Sequence, residues 1–524
     1  MTRPSTFYPF EDFENGLTAE TLDDFKKHVY GILTSQSLWV DQQEGALFDA
    51  AFKCMPYPRI SAAAQKMVED EILCLLNEGP GPFHPRYTAP DYGLLLKQGS
   101  EFMDLKPAET LYDATASLLT AYHYVPNGLP AFIGCLDELL DPYVAKLPEE
   151  QALAVLRSFW LLVDRLFSNA FVHGDIGPKA TLAGRLLLQV DRELKTLTNL
   201  TLRYDPAVTD KSFALMAVEN ALQLSKPYFL NHSRMVQDWG EDYVIASCYN
   251  AMRPGGGILT MVRMNLKRLA LNSDAGLEQF ISEVIPEAAR LQAEVIESRV
   301  RFLIEEAKWF EKDIFIREGL LQRDRFSAYA GVFGLAEAVH IMMEREGMPD
   351  ARYGHHPVAN EAAARITARL EQEVNRQPMP YCQATDGHAC LHAQVGIDSD
   401  QGVTPGCRVP ASTEPELYAH LTAEAGPQQC IPGGISTIVE FDQTAAGNPQ
   451  AVLDIIHGAF SVGTRNLSIG STNSEYIRVT GYLIRRADLE ARQQEKTLRY
   501  ESSMRGTGFI GHQQNTLRRR SRTV

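Results

Sequence analysis

The chain has 524 residues, of which 45% are hydrophobic and 22% charged, and its net charge is −16. This composition is typical of a globular protein with a large core, and the length allows several domains or one large barrel. The acidic balance disfavours nonspecific binding to nucleic acids or anionic membranes, but it says little about a small substrate.

Residues 1–7 contain no basic segment followed by an apolar one, so we expect no signal peptide. No run reaches the roughly 18 apolar residues that a membrane helix needs. The eight cysteines include no Cys-x-x-Cys pair, which favours free thiols over disulfides or a zinc ribbon. The sequence therefore predicts a cytoplasmic protein.

Residues 1–200 are predicted to be mostly helical, as in Gln151–Leu162, where apolar residues recur at three- and four-residue spacing. A longer helix is predicted between Gly276 and Lys312. Short apolar runs predict strands at Tyr243–Ala246, Ile258–Val262 and Gly434–Phe441. Strands that alternate with helices indicate an α/β architecture with parallel strands.

Residues 381–434 are rich in Gly, Pro, Cys and His and lack periodicity, which predicts loops over an active site. Four residues of the types that bind metals lie there, namely Cys382, His388, Cys390 and His392. Their spacing matches no strong metal-binding pattern, so loop thiols and surface histidines are the preferred interpretation.

Further along the chain, residues 449–470 predict a helix followed by a turn, residues 476–479 a strand, and residues 485–500 a charged helix. The tail 517–522 contains four arginines. We interpret it as a docked or solvated terminus, and contact with a polyanion is the alternative.

The segment Arg478–Tyr482 reads Arg-Val-Thr-Gly-Tyr. A glycine before an aromatic residue at a strand end usually marks a turn or a close backbone approach. Arg-Val-x-Gly-Tyr also resembles the signature of pyruvate formate-lyase, the anaerobic ribonucleotide reductases and the glycyl radical dehydratases. The resemblance implies a stored radical on Gly481, with Arg478 and Tyr482 as supporting residues. A glycine suits this role, because a planar α-carbon radical would be crowded by a β-carbon.

Cys248 follows the predicted strand Tyr243–Ala246 and precedes the three glycines Gly255–Gly257. In anaerobic ribonucleotide reductases the thiyl cysteine lies on a loop before a strand of apolar residues, Thr or Ser, and Asn-Leu-x-Arg. The segment Thr260–Arg268 is similar, so the resemblance implies that Cys248 relays the radical. The glycines have the composition of a phosphate cradle, but a loop tip beside the cysteine is the preferred interpretation.

Two more segments support the resemblance: Ala330–Val339 contains a similar Gly-x-x-Gly-x-x-Glu element, and Ile176–Arg185 resembles a segment of the YjjI family of glycyl radical enzymes. The sequence as a whole looks most similar to that family. The resemblance implies a ten-stranded α/β barrel of two five-stranded halves, surrounded by helices. Residues 1–429 would form a helical N-terminal region and the barrel, with a cysteine finger loop near 245–257. Residues 430–524 would form the glycyl radical domain.

Departures from the better-known branches limit the chemistry. Ser247 stands where pyruvate formate-lyase has a second cysteine, and Asn250 stands where the Gly-Cys-x-Glu enzymes have a glutamate base. No four-cysteine zinc site or N-terminal nucleotide-sensing domain is evident. Asn250 and Asn265 are candidates for substrate contacts, and Cys407 and Cys430 are candidates for a second thiol.

The resemblance implies an oxygen-sensitive homodimeric enzyme of anaerobic metabolism with no metal and no permanently bound cofactor. A separate radical S-adenosylmethionine activase would install the radical. The expected substrate is a small polar molecule in a reaction of the lyase or dehydratase type. A reductase acting on a nucleotide-like substrate is one alternative, and a catalytically silent barrel with a binding role is another.

Overall fold

The computed structural model of the chain describes residues 19–53, 58–75, 81–125, 132–167, 172–393 and 400–524. Residues 1–7, where no signal peptide is expected, and Cys54, which is expected to be a free thiol, lie outside these ranges. In the described ranges no helix has the length and apolar character needed to cross a membrane.

The strands of the described residues are, in chain order, β1 Leu73–Leu75, β2 Tyr87–Ala89, β3 Phe132–Cys135, β4 His173–Ile176, β5 Asn199–Tyr204, β6 Tyr228–Asn231, β7 Val244–Ala246, β8 Asn250–Met252, β9 Gly256–Asn265, β10 Phe326–Phe333, β11 Cys390–Ala393, β12 Thr437–Phe441, β13 Asn466–Ser471, β14 Tyr476–Arg478, β15 Leu483–Arg485 and β16 Ser521–Arg522.

The α-helices of the same residues are α1 Ala19–Leu33, α2 Val40–Lys53, α3 Ala62–Glu69, α4 Tyr92–Gln98, α5 Leu111–His123, α6 Leu136–Val144, α7 Glu149–Leu166, α8 Leu182–Leu194, α9 Lys211–Leu224, α10 His232–Trp239, α11 Leu266–Leu271, α12 Leu277–Gln279, α13 Ile285–Arg301, α14 Trp309–Lys312, α15 Ile314–Arg317, α16 Leu335–Arg345, α17 Pro357–Arg376, α18 Leu417–Gln428, α19 Thr444–Gly447, α20 Pro449–Ser461, α21 Arg486–Gln493 and α22 Glu501–His512.

Two sheets form the framework. In the first, β9, β10 and β11 run parallel, and β1 and β2 pair antiparallel with β9. The second has the order β16-β12-β13-β6-β5-β4-β3, in which β3 to β6 are parallel and β13 is antiparallel to β6. The described residues thus give sheets of five and seven strands, not five and five, because β16 and β3 extend both edges of the second sheet.

Two hairpins complete the strand pairing. The hairpin β7–β8, called here the finger, contributes side chains to the main core, and it contacts β3 and β4 of one sheet and β9 of the other. The hairpin β14–β15, called here the glycyl hairpin, packs beside α22. The predicted strands near residues 243, 258 and 476 are therefore present.

Several predictions need correction. The region 381–434 is predicted to consist of loops, but it contains β11 and α18. The strand β11 is buried along its whole length, so its sequence lacks the alternation that marks a half-buried strand. The turn expected after α20 leads into β13. The helix predicted over 276–312 includes two π-helical segments and is interrupted at Lys308, whose φ is 54°. The charged helix α21 ends at Gln493, well before residue 500.

Of the three glycines predicted to form a loop tip, Gly255 lies in a turn with a φ of 70°, whereas Gly256 and Gly257 begin β9. A Cβ on Gly256 would lie 1.9 Å from the Arg325 carbonyl oxygen, and one on Gly257 would lie 2.1 Å from that of Tyr87. Neighbouring backbone therefore requires glycine at both positions.

The four potential metal ligands agree with expectation only in part. Cys382 lies in a loop but is buried, and His388 lies in a bend and is partly exposed, whereas Cys390 and His392 lie in the buried strand β11. Within the described ranges, no group of three or more His, Cys, Asp or Glu side chains is arranged to hold a metal ion.

Candidate active site

Cys248 lies in the turn of the finger, between β7 and β8. Its φ is 62° and that of Tyr249 is 66°, so two successive non-glycine residues are left-handed. Such residues are uncommon and persist where the surroundings determine the conformation. Here the Asn250 side-chain amide donates a short hydrogen bond to the Ser247 carbonyl, which closes the turn. The direction of the Cys248 side chain is therefore fixed by the backbone.

The base of the finger forms hydrogen bonds with β4 of the second sheet and with β10 of the first. The Ile245 N–H donates to Asp175 Oδ2 of β4 at 2.8 Å, and the Tyr329 hydroxyl of β10 donates to the Ala251 carbonyl. The Ala251 N–H donates to the Gly433 carbonyl at 3.0 Å. Burial raises the pKa of Asp175 to about 8, so this carboxyl group is protonated near neutral pH.

The glycyl hairpin brings Gly481 against the tip of the finger. A Cβ built on Gly481 would lie 2.5 Å from Cys248 Cα and 3.0 Å from Cys248 Sγ. Since a Cα–Cβ bond is about 1.5 Å long, the Gly481 α-carbon lies within about 4.5 Å of the sulfur. Both residues are buried. The close approach leaves no room for any side chain at position 481.

Side chains outside the glycyl hairpin form hydrogen bonds with the four consecutive backbone carbonyls of residues 478–481. Arg519 donates to the first two, with nitrogen–oxygen distances of 2.5 and 3.0 Å. The Tyr249 hydroxyl lies 3.0 Å from the Thr480 carbonyl, and the Tyr228 hydroxyl lies 2.6 Å from the Gly481 carbonyl. The turn that carries the glycine is thus held at each carbonyl by a different atom.

Arg478 and Tyr228 form the support beneath this turn. Arg478 Nη1 donates to the Tyr228 hydroxyl at 2.5 Å, and the guanidinium carbon lies 4.3 Å from the centre of the Tyr228 ring. A second hydrogen bond runs from Arg478 to the Ser225 carbonyl. Burial raises the pKa of Tyr228 well above its usual value, so its hydroxyl remains a donor.

The thiol of Cys248 is protonated at neutral pH. Burial raises its pKa to about 11, although the Arg86 guanidinium, a hydrogen bond with the Ser247 side chain, and the guanidinium groups of Arg408 and Arg478 act in the opposite direction. A nucleophilic cysteine needs a lowered pKa and a thiolate. A raised pKa preserves the S–H bond instead, which is what a hydrogen-atom donor requires.

Several polar atoms near the finger have no hydrogen-bond partner within the described part of the chain. They include Asn250 Oδ1, Thr480 Oγ1 and Arg408 Nη1. Buried polar atoms of this kind are rare in folded proteins, and each calls for an explanation such as an absent ligand or water.

The other predicted site residues occupy separate settings. Asn265 Oδ1 accepts from the Arg268 N–H and caps α11. Cys407 is buried, and burial together with the charge of Glu424 raises the pKa of its thiol. Cys430 lies beside Glu371. Tyr482 packs in a small core with α22. Among the predicted residues, Cys248, Gly481, Arg478 and Asn250 therefore come together.

The sequence interpretation missed Tyr228, Tyr249 and Arg519. Tyr249 follows Cys248 directly, and Arg519 belongs to the arginine-rich tail, so both had a local signal. Tyr228 had none, because it reaches the site only through the pairing of β6 in the second sheet. The tail is docked: Arg520 pairs with Glu416, and β16 pairs with β12.

The two sheets, the finger with its cysteine and the glycyl hairpin define the class of glycyl radical enzymes. The fold is similar to a solved anaerobic ribonucleotide reductase, with a TM-score of 0.68, 10% identity and coverage of 96% of this chain and 88% of the other. The Thermotoga maritima anaerobic ribonucleotide reductase in complex with dATP and CTP gives a TM-score of 0.65 at 12% identity, with 93% of each chain covered. These likenesses confirm the predicted α/β fold class.

The particular family follows from sequence. The family model described as "Glycyl radical enzyme YjjI-like" matches residues 38–522, so the chain belongs to the YjjI-like glycyl radical enzymes, as the resemblance implied. The chain is 37% identical over 488 residues to the uncharacterised protein YjjI of Escherichia coli (strain K12), with 92% of each covered. It is 33% identical over 450 residues to an uncharacterised protein of Haemophilus influenzae, with 85% of this chain and 86% of that protein covered.

Proposed function

We propose that this enzyme stores a radical on Gly481 and passes it through Cys248 to a carbon atom of a small polar substrate. The observation that carries the proposal is the contact between the two residues: a Cβ on Gly481 would lie 3.0 Å from Cys248 Sγ. A buried hydrogen-atom relay needs this proximity and a protonated thiol, and it needs water and oxygen to be excluded.

The steps conserve hydrogen atoms. A radical S-adenosylmethionine activase removes one hydrogen atom from the Gly481 α-carbon. The glycyl radical then takes the hydrogen atom of the Cys248 S–H bond. The resulting thiyl radical takes a hydrogen atom from a substrate carbon, and the substrate radical rearranges or eliminates. The product radical recovers hydrogen from Cys248, and the thiyl radical recovers hydrogen from Gly481, which restores the stored radical.

Electron paramagnetic resonance of the full-length protein tests the stored radical. The protein is reduced, kept anaerobic and incubated with its activase. We expect a doublet from the remaining α-hydrogen, and this doublet should collapse when the protein is grown on α-deuterated glycine. Isotope labelling is the better control than Gly481→Ala, because a Cβ at this position would also displace the finger. No signal with an activase of demonstrated competence would sink the proposal and favour a silent barrel.

Oxygen locates the radical along the chain. Activated protein exposed to air should be cleaved at Gly481 and, once denatured, yield the segment Tyr482–Val524, which mass spectrometry identifies. Protein that was never activated is the control and should stay intact. Cleavage at another glycine would move the radical to that residue.

The surroundings of Cys248 support a redox-neutral reaction of the lyase or dehydratase type. Ser247 precedes the cysteine, so the tip itself offers one thiol. A reductase would need two electrons from an external reductant or from a second thiol, and Cys407 and Cys430 are the candidates for that thiol. If Cys407→Ser or Cys430→Ser abolished turnover while the glycyl radical persisted, the reductase alternative would gain support.

The proposal also covers the compartment, the oligomeric state and the cofactor requirement of the enzyme. It acts as a cytoplasmic homodimer in anaerobic metabolism, it holds no permanent cofactor, and it depends on its activase for the radical. Light scattering coupled to size exclusion tests the dimer, and cell fractionation tests the compartment. A monomer at micromolar concentration would contradict the first statement.

A further inference from the structure

Arg408 is a buried cation near the finger, and no described residue is its acidic partner. Its Nε donates to the Ser436 carbonyl at 2.9 Å, and its Nη2 donates to Ser436 Oγ at 3.0 Å. Its Nη1 is buried and has no partner among the described residues. The guanidinium carbon lies 6.0 Å from the centre of the Tyr249 ring, next to Cys248 in the turn. One edge of the guanidinium is therefore fixed while the other remains available.

Buried arginines of the protein differ in their partners: Arg478 bonds to the Tyr228 hydroxyl and the Ser225 carbonyl, and two others have a carboxylate partner. Arg263 pairs with Asp400 at 2.7 Å, and Arg465 pairs with Asp238. Within the described ranges no carboxylate pairs with Arg408, although its exposed fraction is only 8%. A buried charge is costly unless an opposite charge compensates it. A ligand with a negative group would supply that compensation.

His392 borders the same turn. Its ring stacks on Tyr329 with centroids 4.9 Å apart. A Cβ on Gly434 would lie 3.0 Å from the His392 ring and 2.1 Å from the Tyr249 carbonyl oxygen, so the histidine ring and the turn both lie close to this glycine. Burial lowers the pKa of His392 to about 3, and the ring is neutral at physiological pH. A neutral imidazole offers one donor and one acceptor.

The turn adds two polar groups. Ser247 and Asn250 are both fully buried, Asn250 Oδ1 has no partner in the described part of the chain, and the Ser247 side chain lies beside the Cys248 thiol, whose pKa it lowers. Together with Arg408 and His392, they give the surroundings of Cys248 a positive charge and several unused hydrogen-bonding atoms. This combination matches a small hydroxylated anion better than a neutral apolar compound.

We propose that Arg408 and His392 bind an oxyanion group of the substrate, a carboxylate or a phosphate, while Ser247 and Asn250 contact its hydroxyl groups. The inference rests on the proposed function, since it places the substrate beside the thiol of Cys248. The free edge of a guanidinium that is already held by Ser436 is a preorganised donor for such a group.

Titration calorimetry on the full-length, non-activated protein tests the inference. The ligands share one skeleton: glycerol is neutral, glycerate carries a carboxylate, and glycerol 3-phosphate carries a phosphate. Cytidine diphosphate represents the nucleotide class. We expect at least one oxyanion compound to bind about tenfold or more tightly than glycerol. The tighter of glycerate and glycerol 3-phosphate identifies the group, and preference for the nucleotide would favour the reductase alternative.

Arg408→Met should abolish the preference for oxyanions, and Arg408→Lys should keep part of it, because charge remains while the planar fork is lost. Arg253→Met is the matched control. Arg253 also contacts backbone carbonyls and an aromatic ring, but it lies beyond the base of the finger, near Trp239. The control should bind like the wild type. Melting curves verify that each variant is folded, and Arg408→Lys keeps the test decisive if the methionine variant is not.

Equal binding of glycerol and the oxyanion compounds by the wild type would overturn the inference, as would a preference that survives in Arg408→Met. Failure to bind any oxyanion compound, inorganic phosphate included, would do the same. These outcomes are independent of the glycyl radical, which is measured separately after activation. An absent radical with intact anion selectivity would reject the proposed function alone.

Discussion

The finger and the glycyl hairpin are both short antiparallel hairpins with a proposed catalytic residue in the turn, yet they are anchored differently. Apolar residues of the finger belong to the main core, and its backbone bonds to groups on β4 and β10. One face of the glycyl hairpin instead packs in a small separate core. That core consists of Ile477, Val479, Tyr482, Ile484, Phe509 and Ile510. The finger is built into the framework, whereas the hairpin carries part of its own core.

This difference bears on how the proposed radical on Gly481 would be installed. Gly481 is buried against Cys248, so an activase cannot reach its α-carbon in this arrangement. The hairpin and α22 can keep their mutual packing when they move away, and a Cβ on Gly506 would lie 2.5 Å from Ile484, which shows how closely they fit. Local openings of this kind involve the least firmly attached parts of a protein. We therefore expect the hairpin to open while the finger stays in place.

The largest expected effect concerns the relay itself. If Cys248 exchanges hydrogen with Gly481, its S–D group in deuterated water should replace the α-hydrogen, and the doublet should collapse to a singlet without substrate. Cys248→Ser should form the glycyl radical and keep the doublet. Electron paramagnetic resonance measures both. Cys407→Ser is the control and should behave as wild type; a doublet that collapses in Cys248→Ser would assign the relay to another residue.

An intermediate effect is expected at Arg519, which holds the carbonyls of residues 478 and 479. Arg519→Met should increase amide hydrogen exchange over residues 476–485 about tenfold to a hundredfold, since charge-assisted hydrogen bonds to the turn are lost. Exchange over the finger, residues 244–252, should not change. The exposed neighbour Arg518→Met is the control. Equal acceleration in both hairpins would show that they open as one unit.

The smallest effect concerns the base of the finger. Burial raises the pKa of Asp175 to about 8 in the folded protein, against about 3.9 in an unfolded chain. The folded state thus holds the proton more tightly, so this contribution to stability is complete below pH about 4 and is lost as the pH rises toward 8. Asp175→Asn keeps an acceptor for the Ile245 N–H without titrating.

Denaturant unfolding at several pH values checks this prediction. Asp175→Asn should lose less stability than the wild type between pH 5 and pH 8, by about 1 kcal/mol or more. Exposed Asp274→Asn should leave the profile unchanged. Parallel profiles for Asp175→Asn and the wild type would mean that protonation of the buried carboxyl group does not contribute to the pH dependence of the free energy of unfolding.

The sequence was informative where chemistry depends on local pattern. The turn with Cys248 follows a recognisable strand, and Gly481 lies in a five-residue motif. Strand β11 was missed because all four of its residues are buried and no alternation marks it. The roles of Tyr228 and Arg408 depend on tertiary contacts between segments far apart in the chain, for which one sequence carries no signal. The docking of Arg519 was one of two interpretations that only the fold could separate.

The pairing of β16 with β12 has a practical consequence for work with this enzyme. Ser521 and Arg522 hydrogen-bond into the second sheet, and Arg522 Nη2 donates to the Pro415 carbonyl at 2.7 Å. A chain nicked by air after Gly481 would keep its severed end attached through these contacts. Native sizing would then show an intact particle, and damaged stock would be recognised only under denaturing conditions.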